Sequence, residues 1–410
     1  MSTLWRTQHF KKLIVSRTIS NIGNGIAPIA LAFGVLHLPG TTPTSLSIVL
    51  AAQAVPLVIM LPIGGVLADK LGRARVIGIA DMIMSISVMT IAVLFLTGNA
   101  TVPLLALLGV VNGTLAAFWY PAMSALPPEV VPDELLQSAN GYVAVAQNGG
   151  LIGGSALGGI LVATVGSGWA IAVDSLTFLV AGYLVFSFRH VSKPSTSTDS
   201  TLEGLIHGWK VFTSYKWIVV IVAAFSIIVM VWRGSEEVMG PVLALEIYGG
   251  ASGWAVILSA QSIGLLVGAY LGGKINPRRP MLFGMLVTLS IPLFMFALAA
   301  QAPLFLAAIA AFILGIGLDI FYVVWITALQ RKVPRESLSR VTSYDAMGSL
   351  MFGPIGLALA GPLISGAGAV LAFSIAGALA LAAIIGSLLF KCVRVVTNDV
   401  EVEPELSSAD

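Results

Sequence analysis

The chain alternates between long apolar runs and short breaks that carry the charges and turn residues. Most of these runs are roughly 20 residues long, which is enough for a helix to cross the ~30 Å hydrocarbon core of a bilayer. The pattern therefore predicts an all-α membrane protein with twelve transmembrane helices, numbered 1 to 12 in chain order. They lie near residues 13–37, 44–69, 76–97, 102–124, 138–163, 169–188, 217–241, 252–274, 281–300, 304–328, 342–366 and 368–391.

Composition excludes a water-soluble globular protein. Hydrophobic residues make up 57% of the 410 positions and charged residues only 10%, against about 25% charged residues in soluble domains. A nucleotide-driven pump would need a phosphate-binding G-x-x-x-x-G-K-[S/T] loop, and the sequence has none. One cysteine and four scattered histidines form no metal-ligand pattern. We therefore expect no enzyme, no cofactor, no metal and no nucleic-acid partner.

The basic residues orient the predicted helices. All but Arg233 of the 21 Lys and Arg residues lie at one set of helix ends, and the alternate loops have none. Since basic residues favour the cytoplasmic side, this places both termini in the cytoplasm. We expect the chain to lie in the cell (inner) membrane. The first apolar run has no small-residue cleavage site after it, so we expect it to be retained as helix 1.

A polar stretch divides the predicted helices into two sets of six. It supports an N-terminal half at 1–188, a Ser/Thr-rich cytoplasmic linker at 189–216, a C-terminal half at 217–391 and an acidic cytoplasmic tail at 392–410. VPDELLQ at 131–137 resembles VPRESLS at 333–339, which lies 202 residues further on. Because six spans separate the two copies, the halves have the same orientation in the membrane, as in one large class of transporters.

The segment GGVLADKLGRARV at 64–76 ends predicted helix 2 in a tight basic turn. Gly72 permits the turn, and Asp69 can pair with Arg73 or with a helix N-terminus. Gly65, Asp69, Gly72 and Arg73, together with the intervening Leu and Ala, resemble the hallmark loop of the major facilitator superfamily. That resemblance implies a secondary transporter in which Asp69 and Arg73 act as a cytoplasmic gate.

Three further segments resemble the macrolide-efflux and siderophore-exporter branch of that superfamily. They read YPAMSALPPEVVPDELLQSANG (120–141), GGSALGG (153–159) and DSLTFLVAG (174–182). This resemblance implies proton-coupled efflux of drugs or metabolites, and with it antibiotic resistance. The drug antiporters of the superfamily typically have a Gly-Pro in helix 5, and Ser155 stands at the position of that proline. The missing proline argues against proton coupling more than it argues against efflux.

Charges inside a membrane are rare and mark candidate functional sites. Arg233 lies in the outer part of predicted helix 7, with Glu236 and Glu237 three and four residues later, so either can pair with it. The other carboxylate is then free to exchange a proton, as proton-coupled export requires. The alternative is that all three charges merely reach the outer headgroups. Asp319, roughly 22 Å from the outer end of its helix, is a second candidate for proton coupling.

Polar and aromatic residues on predicted helices 1, 4, 7 and 10 are candidates for the cavity, which the resemblance places between these helices. They are Arg17, Asn21, Asn24, Asn112, Trp119, Trp232 and Tyr322. Each aromatic could instead serve packing or an interfacial belt. Asp81 and Asp174 lie only about 8 Å inside their spans, and we expect both to be structural polar residues.

The leading hypothesis is a monomeric exporter that moves amphipathic drugs or a secreted metabolite in exchange for protons. One half would rock against the other to alternate access. The partners are then a small amphipathic molecule, protons and the lipid bilayer. Two alternatives stay open, namely a proton-coupled symporter for nutrient uptake and a transporter-like sensor that moves nothing.

Overall fold

The computed structural model describes residues 7–132, 135–192, 209–333 and 335–397. The first six membrane helices keep the numbering of the prediction. They are Gln8–Leu36, Pro43–Leu71, Arg73–Leu96, Val102–Ala125, Leu136–Thr164 and Ser167–Phe186. Short helices at Pro127–Val130 and Arg189–Val191 follow helices 4 and 6. Each of these six helices begins and ends within six residues of its predicted range.

The last six helices are less regular. Helix 7 joins Lys216–Gly234, a π-helical segment Ser235–Met239, and Gly240–Ile247. Helix 8 is Ala251–Gly272, helix 9 is Pro280–Val287 with Ser290–Ala299, and helix 10 is Leu304–Lys332. Helices 11 and 12 comprise Arg335–Leu350 and Gly353–Leu389, and a short helix Lys391–Arg394 follows.

Gly368 separates helix 11 from helix 12. Among the described residues eleven helices are long and apolar enough to cross a membrane, but one of them, Tyr344–Leu389, is 46 residues long. A helix of that length extends roughly 69 Å, more than twice the ~30 Å hydrocarbon core. Gly368 has φ 76° and ψ 165°, a conformation open to glycine. The chain reverses there, which confirms the prediction of twelve membrane helices.

Equivalent close approaches hold each half together. Gly113 of helix 4 lies against the backbone carbonyl of Gln53 in helix 2, and Gly315 of helix 10 lies against the backbone carbonyl of Gln261 in helix 8. In both places a Cβ atom would overlap the neighbouring helix. Small residues are what allow membrane helices to approach this closely. The two glycines are 202 residues apart, so the sequence repeat corresponds to a repeated packing contact.

The two halves meet at the membrane face opposite the termini. The backbone N–H of Gly361 in helix 11 donates to the Oγ of Ser47 in helix 2, at 2.8 Å. On the other side of the molecule, Gly159 of helix 5 lies against Ala251 and Ala255 of helix 8. Helices 2 and 8 begin on this face and helices 5 and 11 end on it. The contacts therefore close the molecule at that face.

Candidate functional site

Arg233 and Glu237 form a bidentate ion pair in helix 7. The Nε of Arg233 donates to Oε1 of Glu237 at 2.6 Å, and a terminal guanidinium nitrogen donates to Oε2 at 3.1 Å. Both side chains are about a quarter exposed. Sequence spacing allowed either glutamate as the partner of Arg233, and the structure selects Glu237.

Glu236 has a different environment, although it is the neighbouring residue. Its Oε2 accepts hydrogen bonds from Trp232 Nε1 at 2.6 Å and from Gln261 Nε2 at 2.9 Å. Both donors are neutral, so Glu236 is the carboxylate without a directly paired cation. The sequence analysis did not single out Gln261, although a glutamine within the apolar run of helix 8 was a visible signal.

The π-helical segment Ser235–Met239 carries both glutamates to the interface between the halves. It packs against helices 1 and 2 and against Gly353–Leu389. Gly234 lies against the backbone of Gly356, where a side chain would not fit. Such single π-helical turns occur frequently at functional sites. Here the π-helical segment ends at Met239, and helix 7 continues from Gly240 through Pro241 to Ile247.

Asp319 is the second candidate acid, on helix 10. It is partly buried and makes no ion pair with another described residue. Its Cβ lies beside Gly268 of helix 8. Because Gly268 follows Gln261 by seven residues, two turns and roughly 10 Å of helix 8 separate the level of Asp319 from that of Glu236. Tyr322, one turn beyond Asp319, is 59% exposed.

Asp345 on helix 11 is an acid that the sequence analysis missed. Its carboxylate accepts hydrogen bonds from Trp325 Nε1 at 2.8 Å and from Ser349 Oγ at 3.3 Å. The signal was present, since Asp345 stands three residues inside the predicted span 342–366. Like Glu236, Asp345 is a partly buried carboxylate that accepts a hydrogen bond from a tryptophan indole.

Helix 1 and helix 3 contribute a buried ion pair in the first half. Arg17 lies 3.7 Å from Asp81, and its guanidinium lies 4.7 Å from the ring centre of Trp119. Asn21 donates to the backbone carbonyl of Arg17 at 2.7 Å, and Asn24 donates to Asn21 at 3.4 Å. The predicted polar face of helix 1 is thus present, but the side-chain amide of Asn21 donates to the backbone of its own helix and not to another helix.

Several of the predicted residues line one cavity of about 230 Å³ among helices 1, 2, 3, 4 and 6. The predicted cavity residues found there are Asn24, Asn112 and Trp119. Asp81 and Asp174, which we expected to be structural, line it too. They are 0% and 2% exposed, respectively. Arg233, Glu236 and Asp319 do not line it, because they lie on helices of the other half.

Comparison with known proteins decides the family. Residues 13–261 and 234–407 match the model of the Major Facilitator Superfamily. The chain belongs to the major facilitator superfamily. This confirms the resemblance of its loop after helix 2, and it accounts for a multi-pass membrane protein of twelve helices.

The relatives within the superfamily include exporters. The chain is 30% identical to the multidrug efflux pump Tap of Mycolicibacterium fortuitum over 379 residues, which cover 87% of this chain and 89% of that protein. It is 24% identical to the enterobactin exporter EntS of Citrobacter koseri over 85% of each chain. The predicted likeness to drug and siderophore exporters is therefore confirmed.

Solved structures of the superfamily have the same fold. The nucleoside transporter NupG superposes with a TM-score of 0.72 at 12% sequence identity, over 93% of this chain and 98% of that one. The all-α fold of two six-helix halves related by a parallel repeat is thereby confirmed.

The superfamily's hallmark loop joins three elements of the first half. Gly72 has φ 87°, which permits the turn between helices 2 and 3. Arg73 pairs with Glu129 of the short helix after helix 4, at 2.9 Å, and Ser192 after helix 6 donates to the same carboxylate. The sequence analysis did not name Glu129. The contacts of Gly65 and of the Asp69 side chain lie outside the part of the chain that the structure describes.

Proposed function

We propose that the chain is a secondary exporter of the inner membrane, with both termini in the cytoplasm. It moves amphipathic drugs or a secreted metabolite outward in exchange for protons. The relatives support export, because the names of Tap and EntS describe a multidrug efflux pump and an enterobactin exporter. Proton exchange is supported by acids within the membrane spans, which in transporters mark proton and ion pathways.

The proposal depends on one observation: the two adjacent glutamates have different partners. Glu237 neutralises Arg233, whereas Glu236 faces only the neutral donors Trp232 and Gln261. A carboxylate that accepts hydrogen bonds only from neutral donors can exist with or without its proton more readily than a carboxylate in a direct ion pair. Its position where the halves meet would let their relative movement decide which side of the membrane supplies the proton.

Alternating access follows from closure of the two membrane faces in turn. The contacts of Gly361 with Ser47, and of Gly159 with helix 8, close the face opposite the termini. In the proposed cycle this arrangement receives substrate from the cytoplasm. Asp69 and Arg73 belong to the opposite gate, and the pair Arg73–Glu129 favours the access state in which it holds the cytoplasmic ends of helices 3 and 4 together.

The test is efflux of a fluorescent amphipathic cation from energised cells that express either the natural chain or Glu236→Gln with Glu237→Gln. Membrane levels are matched, and a protonophore is added as control. We expect export by the natural chain, its loss with the protonophore, and binding without gradient-driven export by the double variant. Normal export by the double variant would make the glutamates interfacial anchors and Asp319 the leading proton site. Gradient-driven accumulation of dye by the natural chain would favour uptake.

A further inference from the structure

None of the acids of helix 7 lines the cavity of the first half. This cavity holds about 230 Å³, and every residue that lines it lies between Ser20 and Phe178. For comparison, an engineered apolar cavity of about 150 Å³ binds benzene. The space is therefore large enough for a molecule with one aromatic ring and a short polar arm.

The cavity holds one carboxyl group that no described cation neutralises. Arg17 and Asp81 compensate each other at 3.7 Å. Asp174 is 2% exposed and forms no ion pair with a described residue. Its Oδ1 is buried without a hydrogen-bond partner in the described part of the chain, and so is Oδ1 of Asn112. Unpaired buried acceptors are costly, and both belong to residues that line the cavity.

The remaining walls are mostly apolar. The apolar residues include Leu31, Met84, Val88, Ile91, Ile171 and Phe178, and the lining also contains the polar side chains of Ser20, Asn24, Gln53 and Tyr120. A hard metal cation prefers a shell of about six oxygen ligands, whereas most of this lining is apolar. An apolar body with a single cationic donor group matches both the apolar walls and the carboxylate of Asp174. The aromatic face of Phe178 also attracts cations.

We propose that this cavity is a binding site for a small organic ammonium ion. The ammonium group donates to the carboxylate of Asp174, and the apolar body packs against Val88 and Phe178. The site rests on the proposed function only in naming the class of molecule that the exporter takes. Glu236 is not among the residues that line the cavity, so amine and proton need not compete for the same carboxylate.

Equilibrium binding to the full chain in lipid nanodiscs tests the site without any gradient. The probe is 2-phenylethylamine, which is protonated at neutral pH, and its neutral counterpart is 2-phenylethanol. Isothermal titration calorimetry should show the amine binding at least about tenfold more tightly than the alcohol, since a hydrogen bond to a charged group carries that difference. Equal affinities, or heat from sodium chloride but not from the amine, would overturn the proposal.

Variants locate the binding. Asp174→Asn should weaken amine binding about tenfold or more, whereas Glu246→Gln, at an exposed acid on helix 7, should leave it unchanged. If Asp174→Asn fails to fold, Val88→Phe fills the cavity and keeps every charge, and it should abolish amine binding. Undiminished binding in a folded Asp174→Asn or Val88→Phe protein would refute the site.

The outcome is distinguishable from that of the proposed function. Amine binding without dye export would support the binding site and refute the proposed export function. Dye export without amine binding would support the export function and refute the binding site.

Discussion

The guanidinium of Arg17 on helix 1 and the carboxylate of Asp81 on helix 3 lie 3.7 Å apart, with 3% and 0% of their side chains exposed. At this distance they are an ion pair but not a hydrogen-bonded one. Each charge is out of water, so each depends on the other for compensation. The ring of Trp119 beside the guanidinium adds a cation–π contact. The pair therefore fixes helix 1 against helix 3.

Neutralising one member of this pair should destabilise the protein strongly. Asp81→Asn leaves the Arg17 charge buried without compensation, which typically costs about 3–5 kcal/mol. The double variant Arg17→Met with Asp81→Leu removes both charges and should recover most of that loss. Thermal unfolding of the purified protein measures both effects. A double variant no more stable than Asp81→Asn would contradict the account.

Close helix packing predicts a contrast between two glycines. Gly315→Ala would drive a methyl group into the backbone carbonyl of Gln261, and overpacking of this kind costs about 1–3 kcal/mol. Gly386→Ala on helix 12 is the matched control, because nothing lies within 4 Å of the added carbon. The control should be neutral or slightly stabilising, since alanine favours a helix over glycine. Comparing the two midpoints of thermal unfolding decides the matter.

The twelve spans were predictable because a bilayer imposes one length and one polarity on every helix that crosses it. Helix 5, for example, was expected at 138–163 and is Leu136–Thr164. Helix 7 was expected to end at 241 but continues to Ile247. Pro241, which has no backbone N–H to donate, is the second residue after the π-helical segment Ser235–Met239, where the hydrogen-bond register changes. Sequence periodicity carries no signal for such a turn.

The candidate site was predictable only within single helices. Helical spacing brought Arg233 within reach of Glu236 and Glu237, but the choice of Glu237 depends on Gln261, which arrives from helix 8. In the same way, the depths of Asp81 and Asp174 in their own helices said nothing of the cavity that both line. Tertiary packing brings these side chains together, and no local pattern encodes it.

The pair Arg73–Glu129 should affect transport more than stability. Both side chains are between one fifth and one third exposed, and such pairs contribute about 0.2–1 kcal/mol. Arg73→Ala should therefore shift the midpoint of unfolding little, yet a bias of about 1 kcal/mol between access states changes their ratio roughly fivefold. Dye efflux should fall several-fold, and the charge swap Arg73→Glu with Glu129→Arg should restore part of it. A swap as inactive as the single variant would rule out a charge-based role.

The two glutamates of helix 7 should differ when each is changed alone. Glu236→Gln should abolish export driven by a proton gradient but preserve exchange of labelled substrate across proteoliposomes, because the variant binds substrate without carrying a proton. Glu237→Gln leaves Arg233 unpaired and should lower stability by about 1 kcal/mol, since the pair is about a quarter exposed. Identical behaviour of the two variants in both assays would show that they act as one cluster and not in separate roles.

Gln261 should position Glu236 for proton exchange. Gln261→Leu removes one of the two donors to this carboxylate and keeps a side chain of similar size; a hydrogen bond to a charged group contributes about 1.5–3 kcal/mol. Gradient-driven efflux should therefore fall about tenfold or more, with substrate exchange retained. Ser262→Ala is the control on the same helix, because Ser262 donates only to the backbone carbonyl of Leu258. In this account the amide of Gln261 acts only through Glu236, so Gln261→Leu should add nothing to the transport defect of Glu236→Gln. An additive loss of efflux in the combined variant would show that the amide has a different partner.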